Sequence, residues 1–507
     1  MTEAIVTEAL LLALIGITGV GMSWLMGARG FLPLVVIGFA ASVSLRIITT
    51  LATWSVGATS WSVPVWVGVS LGLGAWGLWR GRAHWMSLLI GIAVLGLSSL
   101  SVLVTKFVFG IGEKEHTDSA GIVASALVAV QGNRVTPGEF GALIGEKRGP
   151  AYPWMLSLGP DERIFATFTP LLFLVTLAAV IWAVAGLSQR GIPLWIYLTV
   201  FGVLLSFSMS VPMFRAAMFY LNSHTMMGFG LLLMSFSFLL ARRDRTLGNL
   251  TMWMGILGGI ISATSRSEGI ALAAVVLAAL VGEQIWNTGR LRIRLGLVLS
   301  ACGVTFAWWV LVLNSPLAER APGGAWGLVV FALGLSVLAP MKIWDSLRPA
   351  ALPLIAIGTF GYLVWVIVSS SNPQALVMTQ APNLLEGAGG WGLAAAAAGI
   401  SLVLLGWKQQ PDSYRQLVKV AIVALAMLFA AKTFDGGGFG RESFFDSLNR
   451  MYLHVMPMIL TATALGYVSL LQRSFSGVTY PSSIEDDPAP MPTSRREARQ
   501  QRHRTHS

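Results

Sequence analysis

The chain has 507 residues, of which 55% are hydrophobic and only 11% charged, and its 34 Lys and Arg against 23 Asp and Glu give a formal charge of +11. A soluble domain carries about 25% charged residues, so this chain has too little polar surface to face water, and a soluble globular protein is excluded. Nor is the positive charge a nucleic-acid signature, because the Lys and Arg fall in short stretches between apolar runs and in the C-terminal tail, where membrane topology puts them.

Apolar runs of about 18–25 residues recur from end to end, each long enough to cross roughly 30 Å of hydrocarbon as a helix. The short period-two segments of a membrane barrel are not the pattern here. The fold expected is all-α, a polytopic transmembrane helical bundle of about fifteen spans. In chain order they are expected at 5–25, 31–54, 61–79, 85–109, 164–187, 194–211, 223–241, 249–264, 268–286, 295–313, 324–341, 351–371, 391–407, 415–432 and 451–472. The opening MTEAIVTEA lacks a positive n-region, so no cleaved signal peptide is expected. Cys302 is the single cysteine, which leaves outward loops to be ordered by packing and hydrogen bonds rather than by a disulfide.

The loops alternate in character. One set is short and basic: Arg29, Arg80 with Arg82, Arg190, Arg242 with Arg243 and Arg245, Arg290 with Arg292 and Arg294, Lys342 with Arg348, and Lys408 with Arg415. The other set holds the longest loops, mixed in sign and rich in Gly and Pro. The positive-inside bias makes the basic set cytoplasmic, with the N-terminus outside and the C-terminus inside. Three regions follow: N-terminal helices over 1–84, a main membrane region over 85–472, and a Pro/Ser-rich, then basic, tail over 473–507. The tail is expected to be disordered, its basic end near anionic lipid.

Arg46, in SVSLRIITT, is the deepest charge of the early spans, paired with an acid or reaching to an interface. The long outward loop 110–163 opens with GEKEHTDSAG, where Glu113, Lys114, Glu115, His116 and Asp118 crowd one short stretch. Charges are cheap in a solvated loop; the other reading is a carboxylate held at the bilayer surface. DSAGIVASALVAVQG is amphipathic enough to lie along the membrane as a helix. In EKRGPAYPWMLSLG, Gly149-Pro150 and Tyr152-Pro153 break regular structure before an apolar segment. Arg215, in VPMFRAAMFYLNSHT, shares an outward loop with Asn222 and His224, either lining a groove or sitting at the interface. ISATSRSEGIAL puts Arg266 and Glu268 in a short turn, where they could simply close it as an ion pair. RESFFDSLNRMYLHVMPMIL brings Arg441, Arg450 and His454 to the start of the last span; Arg450 and His454, four apart, are expected on one helical face. A titratable group inside a span is a functional candidate, because burial without a partner is costly.

An acidic residue after an early span, a surface helix, G-P-x-Y-P-x-x-L, an R-x-E-G turn and a late Arg-rich entrance together resemble the GT-C glycosyltransferases. These include the protein O-mannosyltransferases and aminoarabinose transferases. The resemblance covers roughly residues 85–472. Two departures stand out: four spans precede the long loop where family members have one, and Ser119 follows Asp118 where some mannosyltransferases carry a second acid. The resemblance implies a multi-pass cell-membrane enzyme that moves a sugar from a polyprenyl-phosphate donor to a hydroxyl on a glycan, lipid or protein acceptor at the outer face. It implies Asp118 as catalytic carboxylate, with Glu115 second. A leaving phosphate needs fixed cations, and Arg offers phosphate a bidentate fork. Arg450 and Arg441 come first for the donor phosphate, then Arg266 and Lys114, with His454 as a hydrogen-bond donor. Tyr152, Arg215, His224 and Glu268 are expected along the substrate groove. Single displacement with an Asp general base inverts the anomeric centre. No cofactor is expected, although Asp118 and Glu115 could hold a divalent metal. Gly and Ala richness with Arg-dominated basic residues suits a high-GC bacterium.

The rival functions are a transporter or lipid flippase, a surface-polysaccharide polymerase or ligase, and a non-catalytic scaffold. A transporter places paired charges near the middle of several spans, whereas here most charges lie at span ends and in loops. A polymerase or ligase would rest on Arg and His of a large late loop without the early Asp.

Overall fold

The computed structural model describes residues 2–81, 136–145, 148–159, 167–188, 194–219, 223–287, 289–314, 378–406, 410–433 and 447–476, with a few isolated positions between them. Among these residues the regular structure is helical, with no strand and one isolated β-bridge. The helices in chain order are α1 (Thr2–Leu25), α2 (Phe31–Ser55), α3 (Ser62–Arg80), α4 (Pro137–Ile144), α5 (Ala151–Leu156), α6 (Phe168–Leu187), α7 (Leu194–Ser210), α8 (Pro212–Phe219), α9 (His224–Arg243), α10 (Gly248–Ser265), α11 (Gly269–Asn287), α12 (Gly289–Val312), α13 (Gln380–Leu384), α14 (Ala394–Leu405), α15 (Asp412–Thr433), α16 (Ser447–Met451) and α17 (Met456–Ser476).

Six stretches among the described residues are long and apolar enough to cross a membrane: Val6–Leu25, Phe31–Ser55, Thr59–Arg80, Phe168–Leu187, His224–Arg243 and Ile293–Val312. The spans expected at 85–109, 324–341 and 351–371 lie outside the described residues, as does the tail from 477. So does most of DSAGIVASALVAVQG, of which 124–126 are helical. The expected span 391–407 is a 12-residue helix, Ala394–Leu405. At 1.5 Å per residue it covers only about 18 Å. It is shortened at its C-terminal end by Gly406, whose φ of 65° is a left-handed conformation that favours glycine and stops the helix.

The bundle has two chemically distinct ends. At one, Arg242 pairs with Asp412 at 3.0 Å, and Arg294 donates to Thr251 Oγ1 at 2.6 Å and to the Gly248 carbonyl at 3.0 Å. That gathers the end of α9 and the starts of α10, α12 and α15. Arg29, over the Trp24 ring at 3.7 Å, and Arg80 belong to this end too. The link is Trp308, near the far end of α12, which donates to Ser55 Oγ at the far end of α2. At the opposite end Trp54 packs against Phe140 and Trp154, and Trp309 donates to the Ala263 carbonyl at 2.9 Å.

Small residues let the helices approach. A Cβ at Gly258 of α10 would sit 2.7 Å from the Gly230 carbonyl of α9. Bundles in lipid rely on such backbone-to-backbone packing, because lipid tails supply no hydrophobic driving force between helices. The core is continuous through α2, α6, α9, α10, α12 and α17. α1, α2 and α3 pack on one another, and α2 also packs against α5, α6, α10 and α12.

Arg46 of α2 is 1% exposed. Its Nε donates to the Trp154 carbonyl and its Nη2 to Ser157 Oγ, each at 3.4 Å. Trp154 and Ser157 form the C-terminal end of α5, where carbonyls lack helical partners and a cation is favoured. Neither an acid partner nor an interface holds Arg46 among the described residues; the end of a short helix does.

Candidate functional site

The non-basic end of the bundle is built around the turn between α10 and α11. Thr264 Oγ1 and Ser265 Oγ donate back to the Ile260 and Ile261 carbonyls at 2.7 and 2.6 Å, competing with the ladder where α10 stops. Arg266 then goes extended, at φ −154° and ψ 159°. It forms an antiparallel bridge with Arg148, reinforced by Gly149 N–H to the Ser265 carbonyl at 3.0 Å. The GPAYP segment is thus stitched to the SRSEG turn across more than a hundred positions of chain.

Within the turn, Arg266 Nε meets Glu268 Oε1 at 2.5 Å and Ser267 Oγ donates to Glu268 Oε2 at 3.2 Å. The side chains are 11% and 16% exposed. Glu268 immediately precedes α11, at the helix end that favours negative charge. Burial pushes its carboxyl up, but the charges of Arg266 and His454, with hydrogen bonds from the Arg266 side chain and the Glu268 backbone, outweigh that and hold it below the usual carboxylate range. Glu268 is therefore a carboxylate at neutral pH, and His454 lies within its electrostatic reach.

His454 arrives from the far end of the chain. α16 ends at Met451, Tyr452–His454 is a 3-10 turn, and α17 starts only at Met456. The expectation that the last span starts at 451 and carries Arg450 and His454 on one helical face is corrected here. The physical cause is Pro457, which has no N–H to give the Leu453 carbonyl and whose ring crowds that carbonyl, so a continuous helix cannot run through. The carbonyls of this turn pack onto α9 at Gly228, where a Cβ would lie 2.6 Å from the Leu453 oxygen and 3.2 Å from that of His454. That approach sets His454 against His224, the first residue of α9. His224 Nδ1 and His454 Nε2 are 2.8 Å apart, with ring centroids at 4.8 Å. His224 is 4% exposed and His454 is fully buried.

Arg450, one turn earlier, is mostly buried. Its neighbour Asn449 fixes that turn: Asn449 Oδ1 accepts from Trp391 Nε1 at 2.5 Å, and Asn449 Nδ2 donates to the Gly389 carbonyl at 2.6 Å. The same Gly-rich turn receives α8, through Met213 N–H to the Gly390 carbonyl at 2.8 Å and the edge-on packing of Phe214 against Trp391. Arg215 is exposed on α8, a short helix rather than the expected loop.

The structure thus places Arg266, Glu268, His224, Arg450 and His454 at one end of the bundle. Tyr152 is different. It is fully buried, its hydroxyl hydrogen-bonded to Thr169 and its ring 5.7 Å from Phe168, so it packs in the core instead of lining an open groove. Asp118, Glu115, Lys114 and Arg441 lie outside the described residues. Sequence reasoning missed Arg148, Asn449 and the pairing of the two histidines. The G-P after Arg148 was the one local cue, and nothing local marks the other two. Among the described residues no three His, Cys, Asp or Glu side chains converge as metal ligands. Among the described residues, the turn and the segments packed near it bring Arg148, Arg266 and Arg450 to the same end as the Glu268 carboxylate. No family model, curated protein or solved structure matches the chain.

Proposed function

We propose that this protein is a polytopic membrane glycosyltransferase of the GT-C kind, transferring a sugar from a polyprenyl-phosphate donor to an acceptor hydroxyl on the outer face of the membrane. The observation that carries the reading is the convergence just described. Arg148, His224, Arg266 with Glu268, and Arg450 with His454 come from four distant parts of an apolar chain to one end of the bundle, where most of their side chains are withdrawn from solvent. A phosphate ester with a lipid tail fits this setting: the tail stays among the apolar helices and the phosphate meets Arg. Positioned cations stabilise the charge that grows on the leaving phosphate, the kind of contribution that usually dominates such catalysis.

In this reading Asp118 is the general base, taking the acceptor proton as the acceptor oxygen attacks the anomeric carbon, with inversion. Glu115 is its neighbour in the same stretch. Arg450 and Arg441 lead on the donor phosphate, supported by Arg266 and Lys114. The basic end of the bundle is cytoplasmic, the full complement is about fifteen spans, and the N-terminal helices are an accessory to the region from 85 onward. Gly and Ala richness with Arg-dominated basic residues suits a bacterial cell membrane.

The test is transfer of label from polyprenyl-phosphate sugars into lipid, glycan or protein by membranes containing the protein. Asp118→Asn should lower turnover by roughly 10²–10⁴-fold, the usual contribution of a positioned base, while donor binding survives. Wild-type turnover from the Asn variant would move the base elsewhere, and no transfer by the wild type from any such donor would end the proposal.

A further inference from the structure

We infer that His224 and His454 form a two-histidine proton relay, with His224 the general acid toward the leaving phosphate and His454 and Glu268 the groups that position and charge it; this rests on the transferase reading above.

A ring nitrogen of one imidazole lies 2.8 Å from a ring nitrogen of the other, Nδ1 of His224 and Nε2 of His454. One proton must sit between them, since two bare lone pairs or two N–H groups at that separation repel. Two features set the direction. Glu268 attracts positive charge to His454. His224 opens α9, with Ser223 at its N-cap, and the positive end of the helix dipole disfavours a second charge there. The proton between the rings therefore belongs to His454 Nε2, which donates to His224 Nδ1. That fixes the tautomer of His224 and makes its Nε2 the N–H donor. His224 is also the member of the pair that keeps some exposure, 4% against none.

The charged groups at this end of the described elements packed on the pair are Glu268, which interacts electrostatically with His454, Arg266, paired with Glu268 in the α10–α11 turn, Arg148, bridged to that turn through its backbone, and Arg450, four residues before His454. α6 and α10 contain no ionisable residue; α17 carries Tyr467 in its middle and Arg473 at its far end, and the charged residues of α9 (Arg242, Arg243) and α11 (Glu283) fall near the ends of those helices away from the pair.

The step balances as follows. The acceptor oxygen bonds to the anomeric carbon and loses its proton to the general base. The bond from that carbon to the phosphate oxygen breaks, and its electron pair goes to that oxygen. The oxygen takes the proton from His224 Nε2 as His454 Nε2 passes its proton to His224 Nδ1. The relay ends neutral and the leaving group is a protonated phosphate monoester. The general base releases its proton to water, and the relay is recharged from water before the next turnover.

The experiment uses the full chain in lipid nanodiscs, a panel of polyprenyl-phosphate hexoses and pentoses, and kcat and donor KM followed across pH. The wild-type rate should fall as pH rises through the titration of the pair. His224→Gln and His454→Gln should each lower kcat by about 10²–10⁴-fold, leave donor KM within about twofold, and lose that upper pH limb. Glu268→Gln keeps both histidines and should move the limb to lower pH, because an imidazolium without its carboxylate deprotonates more readily; it carries the test if a histidine variant fails to fold. An upper limb unmoved in every folded variant, beside an active wild type, overturns the relay and leaves the transferase reading standing. An inactive wild type overturns both.

Discussion

Gly228→Ala tests the geometry of the site in a single atom. In an ordinary helix this change stabilises, by roughly 0.5–1 kcal/mol, because alanine loses less backbone freedom on folding. Here the new Cβ would lie 2.6 Å from the Leu453 carbonyl oxygen, with the His454 oxygen and Pro457 Cγ each at 3.2 Å. Carbon and a carbonyl oxygen in contact sit roughly 3.3–3.6 Å apart, so the 3-10 turn must retreat by about 0.7–1 Å. The clash is with backbone, and no side-chain rotation relieves it. The same retreat stretches the His224–His454 contact from 2.8 Å to beyond about 3.5 Å, the end of hydrogen-bonding range. Overpacking of this kind costs about 1–3 kcal/mol, which outweighs the helix-propensity gain. The variant should unfold at a lower temperature in nanodiscs, and the ¹⁵N resonances of the two histidines should lose the shared-proton signature of the wild type. A melting temperature equal to or above wild type, with the imidazole signals unchanged, would refute the packing of the turn on α9.

Three further outcomes follow from the same site and fold. Glu268→Gln should cost about 1–3 kcal/mol, as a buried guanidinium loses its charged partner. Because the folded carboxyl is held below its ordinary value of 4.5, its stabilisation is complete above that pH and disappears as pH falls through the folded value; the acid limb of a melting-temperature profile should flatten in the variant, and an identical acid limb would contradict the pairing. Arg450→Lys keeps the charge but loses the planar fork, and should weaken donor use less than Arg450→Ala, whose loss is about 1.5–3 kcal/mol; equal donor KM in both variants and wild type would make Arg450 an interfacial anchor. Single cysteines at Ser119 and Ser474, in a background with Cys302 replaced, should be labelled by an impermeant thiol reagent in intact cells at 119 only, and labelling at 474 would invert the proposed topology.

The helical class was legible because charge is so scarce, and most expected spans fall within a few residues of observed helices: α2 occupies 31–55 against 31–54, α10 248–265 against 249–264. Part of the basic end was legible too, among the described residues. Arg29, Arg80, Arg242 and Arg294 gather there as the alternation of basic loops required. Where the reading slipped, local rules had competed. A spacing of four between Arg450 and His454 suggests a shared face only if the helix is unbroken, and Pro457, three residues beyond His454, breaks it. Tyr152, beside two prolines, was expected along a substrate groove, but its hydroxyl meets Thr169 in the core. The Arg266–Glu268 pair was readable, since two residues on one turn need no knowledge of the fold. The meeting of His224 with His454 was not, because 230 positions separate them and only the packing of α9 on the 3-10 turn brings them together.

The hold of α5 on Arg46 also bears on how the chain is made. The carbonyl that receives Arg46 is synthesised 108 positions later, which at about 5–20 residues per second is roughly five to twenty seconds of translation. During that interval α2 lacks the acceptors that hold Arg46 in the folded chain, and an arginine at the centre of an inserting helix costs roughly 2.5–3.5 kcal/mol. That cost is expected to keep nascent α2 shallow or tilted, or beside the insertion machinery, until the GPAYP segment emerges. Its final depth is set after translation of the first three helices, by a later part of the chain. An early stop codon before residue 150 would strand α2 without its acceptor, and such fragments should be cleared by membrane proteases faster than fragments that extend past Ser157.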